Sequence, residues 1–298
     1  MIKENPLISI MVIAYNSSKT VIETLNSAKE QSYNNIELII SDDCSSDNTV
    51  ELCNDWLKEN STRFNRTVLI TSHINTGVPA NLNRAISECK GEWIKGIAAD
   101  DILLINCIED NVNYVLKNST IKILFSNLIK FDEKKSKKNS LNYSMKMLFQ
   151  KTTEEQFLQI ITKGIDQNLS PTIFILTSLI KENPYDERFK YQEDYPKILD
   201  LTHKGFRLFY MDKVTVKYRI GNTLSNSIDY FYNKNFIESQ ILYFYHVKKQ
   251  YLIEHNLLKE IKRNEKTWFI YFFTIIVLRN KRNNCTRIIR KIVSLIIK

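Results

Sequence analysis

Short apolar runs rich in β-branched residues alternate with amphipathic stretches over the first 125 residues of the chain. The runs have the length of β-strands, and they cover residues 7–13, 36–40, 67–70, 93–98 and 121–125. The stretches between them carry apolar residues at helical spacing, as at Val50, Cys53 and Leu57. Repeated strand–helix–strand order predicts an α/β fold with a mostly parallel sheet and helices on both faces.

Polar side chains follow several of these predicted strands at the point where each strand ends. They are Tyr15 and Asn16, Asp42 and Asp43, Asn75, and Asp100 and Asp101. Ligands of open α/β sheets bind beyond the carboxyl ends of the strands. One acidic pair before a helix is typical of an N-cap, but two pairs at the same edge of one sheet predict a binding site.

The sequence lacks the glycine-rich motifs that usually bind phosphates. It contains neither Gly-x-Gly-x-x-Gly nor Gly-x-x-x-x-Gly-Lys-Ser/Thr. A diphosphate would then need a divalent cation, Mg²⁺ or Mn²⁺, because such ions take carboxylate oxygens and bridge phosphates. A cation of this kind neutralises the charge that develops on a departing nucleoside diphosphate.

Residues 7–117 resemble the nucleotide-binding half of the inverting family 2 glycosyltransferases, which have the GT-A fold. The matching blocks are Ile8-Ser9-Ile10 with Ala14-Tyr15-Asn16, Gln31-Ser32-Tyr33, residues 36–49, Asn75-Thr76-Gly77 with Asn83, and Gly91-Glu92-Trp93-Ile94 with Ala99-Asp100-Asp101. The resemblance implies transfer of a sugar from a nucleotide-diphosphate donor, a UDP-sugar, to a hydroxyl of a glycan acceptor.

The same resemblance implies a role for each matching residue. Ala14, Tyr15 and Asn16 would line the nucleotide pocket, with Tyr15 against the base. Asp43 would accept a base N–H. The nucleoside and phosphate side would be supported by Asp42 and Asn83. Asp100 and Asp101 would hold the ribose, the diphosphate and the metal.

Two positions depart from the family pattern. Residues 98–101 read Ala-Ala-Asp-Asp where the family often reads Asp-x-Asp-Asp, and the histidine of its Tyr-Arg-x-His segment is Gly221 here. Arg219 of that segment remains, either to pair with phosphate or to form a structural ion pair. These departures keep open a degenerate sugar-nucleotide binder or scaffold. A nucleotidyltransferase is a further alternative, although the loop after Ile13 lacks the glycine-rich, basic sequence typical of that class.

The region 165–225 is similar to the acceptor half of the same family. Glu193-Asp194 matches the pair from which the general base is drawn, and we assign that role to Asp194, with Glu193 second. The alternative is a solvated helix N-terminus, where acidic residues are favoured. Around this region we expect a surface loop at residues 134–151 and a final pair of strands within 206–218.

The positive charge of the chain is concentrated in its last part. Residues 231–298 hold 14 Lys/Arg and 4 Asp/Glu, which gives this segment a net charge of +10. The whole chain has a net charge of +9, so the rest of the chain is close to neutral. We predict a catalytic domain at 1–228, with a donor half at 1–118 and an acceptor half at 119–228, and a helical, basic extension at 229–298. The apolar stretch at residues 268–278 is shorter than the roughly twenty residues that span a bilayer.

The basic extension predicts attachment to an anionic membrane surface, which suits a lipid-linked acceptor. Packing on the catalytic domain or on a second copy of the chain is the alternative. Nucleic acid is not an expected partner, because no recognition motif accompanies the charge. Five scattered cysteines and an N-terminus without an apolar signal region predict a cytoplasmic protein, which the basic extension would place at the inner face of the membrane. The family resemblance, together with that extension, implies surface polysaccharide synthesis such as capsule or lipopolysaccharide.

Overall fold

A computed structural model describes residues 4–132, 136–138, 143–165, 169–220, 230, 232–281 and 283–297, with only the backbone at 136–138, 143–145 and 297. Gly221 of the family pattern and the predicted boundary at residue 228 lie outside these residues. Contacts divide the chain into two compact units. The first comprises residues 1–187 and 193–220, and the second comprises residues 188–192 and 221–298.

One mixed sheet forms the centre of the first unit. Its strands are β1 (Ile8–Ala14), β2 (Ile36–Asp42), β3 (Thr67–Thr71), β4 (Trp93–Ala98), β5 (Ile102–Leu103), β6 (Ile123–Phe131), β7 (Ser136–Lys138), β8 (Phe174–Leu176) and β9 (Leu208–Arg219). The strand order is β3-β2-β1-β4-β8-β6-β9-β5, and β7 pairs with β6 outside this path.

The first four strands in this order are parallel, as the alternation of the sequence predicts. The direction changes at β8, which is antiparallel to both β4 and β6. Strands β6 and β9 are again parallel to each other. Expectation and structure therefore agree on an α/β GT-A architecture, with the parallel half built from the N-terminal part of the chain.

Helices cover the sheet and connect its strands. In the first unit they are α1 (Val21–Lys29), α2 (Thr49–Asn60), α3 (Val78–Glu88), α4 (Cys107–Val115), α5 (Tyr143–Gln150), α6 (Thr153–Lys163), α7 (Thr177–Glu182) and α8 (Asp194–His203), with short 3₁₀ helices at Ser61–Arg63 and Ser170–Thr172. Buried side chains of β1, β2 and β4 pack with those of α1, α2 and α4 to form the main core.

A buried carboxylate ties the strands together at their amino ends. Glu37 of β2 is fully buried. It accepts hydrogen bonds from the hydroxyl of Ser9 at 2.6 Å and from the amides of Lys90 and Gly91 at 2.5 and 2.9 Å. Burial raises the pKa of this carboxyl, but the hydrogen bonds, including one from Arg66, outweigh it and the net pKa is lowered.

Two sequence-based expectations for the second half of the first unit are wrong. The lysine-rich region 134–151, expected as a loop, contains β7 and α5 where it is described. Residues 206–218, expected as two strands, contribute the single strand β9. The register of β9 against β6 shifts between Tyr210 and Val214. Polar Asp212 and Lys213 therefore lie in an irregular stretch of one strand and not in a turn between two strands.

The second unit is helical, as the sequence predicts for the C-terminal part of the chain. It contains α9 (Lys234–Tyr243), a π-helical turn (Phe244–Lys248), α10 (Lys249–Glu254), α11 (Leu258–Ile276) and α12 (Asn284–Ile297). Within the described residues, no helix combines the length and apolarity that crossing a bilayer would require.

Candidate active site

The carboxyl ends of β1, β2 and β4 meet at one edge of the sheet. Ala14 of β1 is in register with Asp42 of β2, and Ile13 is in register with Ala98 of β4. Backbone hydrogen bonds continue beyond the strands, from Asp43 N to Ala14 O at 3.0 Å and from Ala99 N to Ile13 O at 2.9 Å. Since β2 and β4 flank the same strand, their ends lie roughly 10 Å apart. The two acidic pairs predicted from the sequence therefore follow the two strands that flank β1, at the same edge of the sheet.

The loop after β1 is held against the loop after β2. The amide of Asn16 donates to Ser45 Oγ at 2.7 Å, and Asn16 Oδ1 accepts from the amide of Ser46 at 2.8 Å. Asn16 has a φ of 49°, a conformation that asparagine tolerates better than most residues. These contacts hold Tyr15, which is 49% exposed, at the edge of the sheet where the sequence predicts the nucleobase of the donor.

Asp42 closes the turn after β2. Its carboxylate accepts from the amide of Ser45 at 2.8 Å, and the Ser45 hydroxyl also bonds to it. Asp42 is 1% exposed. These hydrogen bonds with Ser45 stabilise the turn that carries Asp43.

Asp43 is the most thoroughly hydrogen-bonded of the predicted donor residues. It accepts from the amide and hydroxyl of Thr76 at 3.1 and 2.5 Å and from the amide of Gly77 at 2.7 Å. Arg84 Nη2 lies 3.1 Å from the same carboxylate. Burial raises the pKa of Asp43, but these hydrogen bonds outweigh it and the net pKa is lowered. Asp43 is therefore a fixed anion at this edge of the sheet.

Helix α3 contributes a residue that sequence reasoning missed. Arg84 bonds to Asp43 and to Thr76 Oγ1, the latter at 2.7 Å. The predicted residue Asn83 lies one position earlier and faces a different segment. Its Nδ2 donates to Tyr185 O and Glu187 Oε1 at 2.9 and 2.8 Å. The sequence held one signal for Arg84. It is a basic residue on the helix that follows Asn75-Thr76-Gly77, and the acidic end of a predicted strand lies at the same edge of the sheet.

Asp101 is a buried carboxylate with one oxygen free of protein partners. It is 1% exposed. Its Oδ1 accepts from the amide of Arg219 at 2.8 Å, whereas Oδ2 is buried with no hydrogen-bond partner among the described residues. Burial, and then the neighbouring charge of Asp100, raise its pKa to about 7. Asp100 is exposed beside it.

Arg219 forms the ion pair that the sequence left open. Its guanidinium pairs with Glu23 of α1 and donates from Nε to the carbonyl of Asp100 at 2.9 Å. It also lies over the ring of Phe131, 4.5 Å from the centroid. Contact with a phosphate stays a prediction for this residue.

The predicted base lies beside a mostly apolar cavity. Asp194 opens α8, and a cavity of about 190 Å³ is lined by Asp194 and Ser170 together with apolar residues that include Phe125, Phe149, Ile198 and Leu208. Burial raises the pKa of Asp194, a hydrogen bond from Ser170 offsets this in part, and the net pKa is about 6. Burial and then the charge of Asp194 raise the pKa of Glu193 to about 8. Such raised values are typical of functional carboxylates.

Comparison with known proteins identifies the family. The model of glycosyl transferase family 2 matches residues 9–182. An uncharacterised glycosyltransferase of Methanocaldococcus jannaschii is 24% identical over 284 residues, which are 92% of this chain and 88% of that protein. The Escherichia coli enzyme WfgD, a UDP-Glc:α-D-GlcNAc-diphosphoundecaprenol β-1,3-glucosyltransferase, is 26% identical over 63% of this chain and 67% of its own.

Solved structures give the same fold. Staphylococcus aureus TarS 1–349 in complex with UDP-GlcNAc aligns at a TM-score of 0.58 and 22% identity, covering 79% of this chain and 65% of that one. The mannosyltransferase PcManGT of Pyrobaculum calidifontis, in complex with GDP-Man and Mn²⁺, aligns at 0.55 and 15%, covering 73% and 58%. With a family model over more than half of its length and the GT-A architecture described above, this chain belongs to glycosyl transferase family 2 and is a glycosyltransferase.

Proposed function

We propose that this protein is an inverting, divalent-metal-dependent glycosyltransferase that moves a sugar from a UDP-sugar to a hydroxyl of a lipid-linked glycan acceptor in surface polysaccharide synthesis. The observation that carries the proposal is the convergence of Asp43 and Asp101 at one edge of the sheet, where Asp101 Oδ2 is buried and has no partner in the part of the chain that the structure describes. A buried, unpartnered carboxylate oxygen is costly unless a ligand pairs with it.

The donor half of the proposal rests on the loops after β1 and β2. Asp43 is held as an anion by Thr76, Gly77 and Arg84, so it can accept the N–H of a uracil. Tyr15 offers an exposed ring for the face of the base. The nucleotide ligands named for the TarS and PcManGT structures support a nucleoside-diphosphate sugar as the donor class.

Asp100 and Asp101 fit a divalent cation through their chemistry. They supply adjacent carboxylates, the ligands that Mg²⁺ and Mn²⁺ prefer. The described residues contain no group of three or more His, Cys, Asp or Glu that could hold a metal by themselves, so the donor's phosphates would complete the coordination. A cation bound there supplies charge neutralisation for the leaving diphosphate. The Mn²⁺ in the PcManGT structure supports this assignment.

The acceptor half of the proposal rests on Asp194. As the acceptor oxygen attacks the anomeric carbon, Asp194 takes the hydroxyl proton, and the bond from that carbon to the diphosphate breaks with its electron pair on the diphosphate. A single displacement of this kind inverts the anomeric configuration. A base with a pKa of about 6 is deprotonated at neutral pH yet basic enough to accept a proton. The cavity beside it offers space for part of the acceptor.

The helical second unit supports a peripheral position on an anionic membrane. Along α12, Ile288, Ile292, Leu295 and Ile296 recur at helical spacing and are 60%, 51%, 63% and 77% exposed. Arg287 and Lys291 are exposed on the same helix. An exposed apolar stripe with cations beside it matches a lipid surface with acidic headgroups. The lipid-linked acceptor in the name of WfgD is consistent with this location.

The proposal is tested by screening nucleotide sugars for thermal stabilisation with Mn²⁺, and then by measuring transfer and donor hydrolysis with the donor that binds. A ligand that binds only the folded state raises the melting temperature. We expect a UDP-sugar with Mn²⁺ to stabilise the protein and to be turned over. Binding without turnover would favour the degenerate binder instead, and no stabilisation by any donor would remove the proposal.

A further inference from the structure

Lys95 is a fully buried lysine in the middle of the sheet. It lies on β4, in register with Ile10 of β1 on one side and Phe174 of β8 on the other. A lysine without surface access keeps its charge in a protein interior only when polar groups surround the ammonium. The proposed donor and acceptor sites assign no role to this side chain. We therefore infer its role from the groups that it contacts.

The ammonium of Lys95 bonds to a short 3₁₀ helix. Nζ donates to the carbonyl of Pro171 and lies 3.5 Å from the carbonyl of Ile173. Burial lowers the pKa of this lysine, and the nearby carboxyl group of Asp101 offsets this only in part. The contact therefore joins the centre of β4 to the backbone of residues 171–173.

The same 3₁₀ helix carries a residue that contacts the predicted base. Ser170 donates a hydrogen bond to the carboxylate of Asp194, and both residues line the cavity. A second anchor holds this turn from β6, because Thr172 Oγ1 accepts from the amide of Ser126 at 3.2 Å. Ser170 is thus the one-residue link between the turn that Lys95 holds and the carboxylate of Asp194.

We propose that Lys95 is a positioning residue that fixes the Ser170–Thr172 turn so that the Ser170 hydroxyl orients Asp194 for catalysis. The proposal rests on the proposed function only in the role of Asp194. Lys95 acts through the Pro171 carbonyl and touches no substrate. The Ser170 hydroxyl stabilises the charged form of Asp194, so losing that hydrogen bond moves the pKa of Asp194 upward.

The first test reads the turn without any activity. Hydrogen exchange of the Thr172 and Ile173 amides, which close the turn onto Leu169 and Ser170, is compared in the wild type, Lys95→Met and Lys181→Met. Lys181 is a matched control because its ammonium also donates to two backbone carbonyls, those of Ser87 and Cys89. We expect at least a tenfold faster exchange in K95M alone. Unchanged exchange in K95M would overturn the proposal even if no donor were ever turned over.

The second test is the pH profile of kcat/KM with Ser170→Ala, which removes only the hydroxyl. We expect the acid limb of S170A to move up by about one pH unit and kcat to fall about tenfold or more. K95M should give the same shift, and the double variant no further shift. An acid limb in K95M that stays at the wild-type position would contradict the proposal, whereas an inactive wild type would contradict the proposed function.

If K95M does not fold, the Lys95→Gln variant is used in its place. The side-chain amide of the glutamine can still donate a hydrogen bond to the Pro171 carbonyl. Partial retention of the wild-type acid limb in K95Q, between the wild type and S170A, supports the positioning role. An acid limb in K95Q identical to that of S170A, with the turn amides protected as in the wild type, would count against it.

Discussion

The backbone amide of Arg219 donates a hydrogen bond of 2.8 Å to Oδ1 of Asp101. The two residues are far apart in the sequence, and they meet because β5, directly after Asp101, pairs antiparallel with β9. This contact fixes one oxygen of the carboxylate, while Oδ2 is buried with no partner in the described ranges of the chain. The backbone at the end of β9 thus orients the carboxylate of Asp101, which we assign to the metal.

Asp101→Asn is expected to lower transfer about 100-fold or more, because it removes an anionic ligand while keeping the acceptor for Arg219. The melting temperature without ligand should stay within about 4 °C of the wild type, since a buried carboxylate with a raised pKa gives way to a neutral amide. Stabilisation by UDP-sugar and Mn²⁺ should disappear. Asp110→Asn, which breaks an ion pair with Lys213, is the control. Wild-type turnover in D101N would remove the metal assignment.

The pH dependence of catalysis should follow Asp194. A general base must be deprotonated, so kcat/KM is expected to fall as the pH drops through about 6 and not through about 4. Burial and the charge of Asp194 raise the pKa of Glu193, so the neutral form of Glu193 is favoured while Asp194 ionises. Glu193→Gln should therefore leave the acid limb nearly unchanged, whereas Asp194→Asn should abolish transfer. An acid limb that moves in E193Q and persists in D194N would exchange the two roles.

The same pair should make the protein less stable at alkaline pH. A carboxyl whose pKa is raised on folding binds its proton more tightly in the folded chain. The stability that this contributes is present below the unfolded value of about 4 and is lost as the pH rises through about 6 and about 8. Urea unfolding at pH 5 and pH 8 should show this decrease, and it should be smaller in E193Q. Equal pH dependence in both proteins would contradict the prediction.

Arg84→Met is expected to raise the KM for the donor about tenfold with little change in kcat, because Asp43 loses the cation that helps to orient it. Arg66→Met is the matched control. Arg66 also pairs with a buried carboxylate, that of Glu37, but at the amino ends of the strands. Both variants should lose stability in urea, and only R84M should change donor affinity. Equal effects on the KM would show that Arg84 acts through stability alone.

Gly91→Ala is expected to destabilise the fold by about 2 kcal/mol or more. A Cβ at Gly91 would lie 2.5 Å from the backbone nitrogen of Ser9, beside the Glu37 network. Gly96→Ala is the control on β4, the strand that follows Gly91, since its Cβ would meet only the end of Met11, at 3.2 Å. Urea denaturation should separate the two variants. Similar midpoints for both would mean that the amino ends of β1 and β4 separate at little cost.

Ile292→Asp is expected to reduce sedimentation with anionic vesicles at least tenfold, because it places a charge in the apolar stripe of α12. Ile105→Asp is the control, at an isoleucine of the first unit that is also exposed, by 60%. Binding should also weaken with added salt and be lost with neutral vesicles. Unchanged sedimentation of I292D, with a loss of dimer in its place, would assign the stripe to a second copy of the chain.

The parallel half of the sheet could be predicted from the sequence because its signals are local. The runs that form β1 and β2 are rich in isoleucine, and such runs are typical of strands buried on both faces. The same alternation of strands and helices predicts that Asp42, Asp43, Asp100 and Asp101 lie at the carboxyl ends of strands. The family resemblance rests on these same blocks, so both the fold and the enzyme class can be predicted from the sequence.

The second half was predicted less well because its signals are tertiary. Residues 206–218 contain polar Asp212 and Lys213, which resemble a turn, and only pairing with β6 keeps the chain extended through the irregular stretch. Helix α5 lies in a lysine-rich region whose charges are typical of a loop. Helix propensity and charge are weak signals that packing overrides.

The sequence by itself determined the α/β class, the family, and which carboxylates stand at the ends of the strands, because strand runs and turn residues are encoded by neighbouring positions. Only the tertiary structure decided that Arg84 pairs with Asp43, that Arg219 pairs with Glu23, and that Lys95 joins β4 to the turn carrying Ser170. Those contacts join residues distant in the chain, and they exist only once the sheet has brought its strands together.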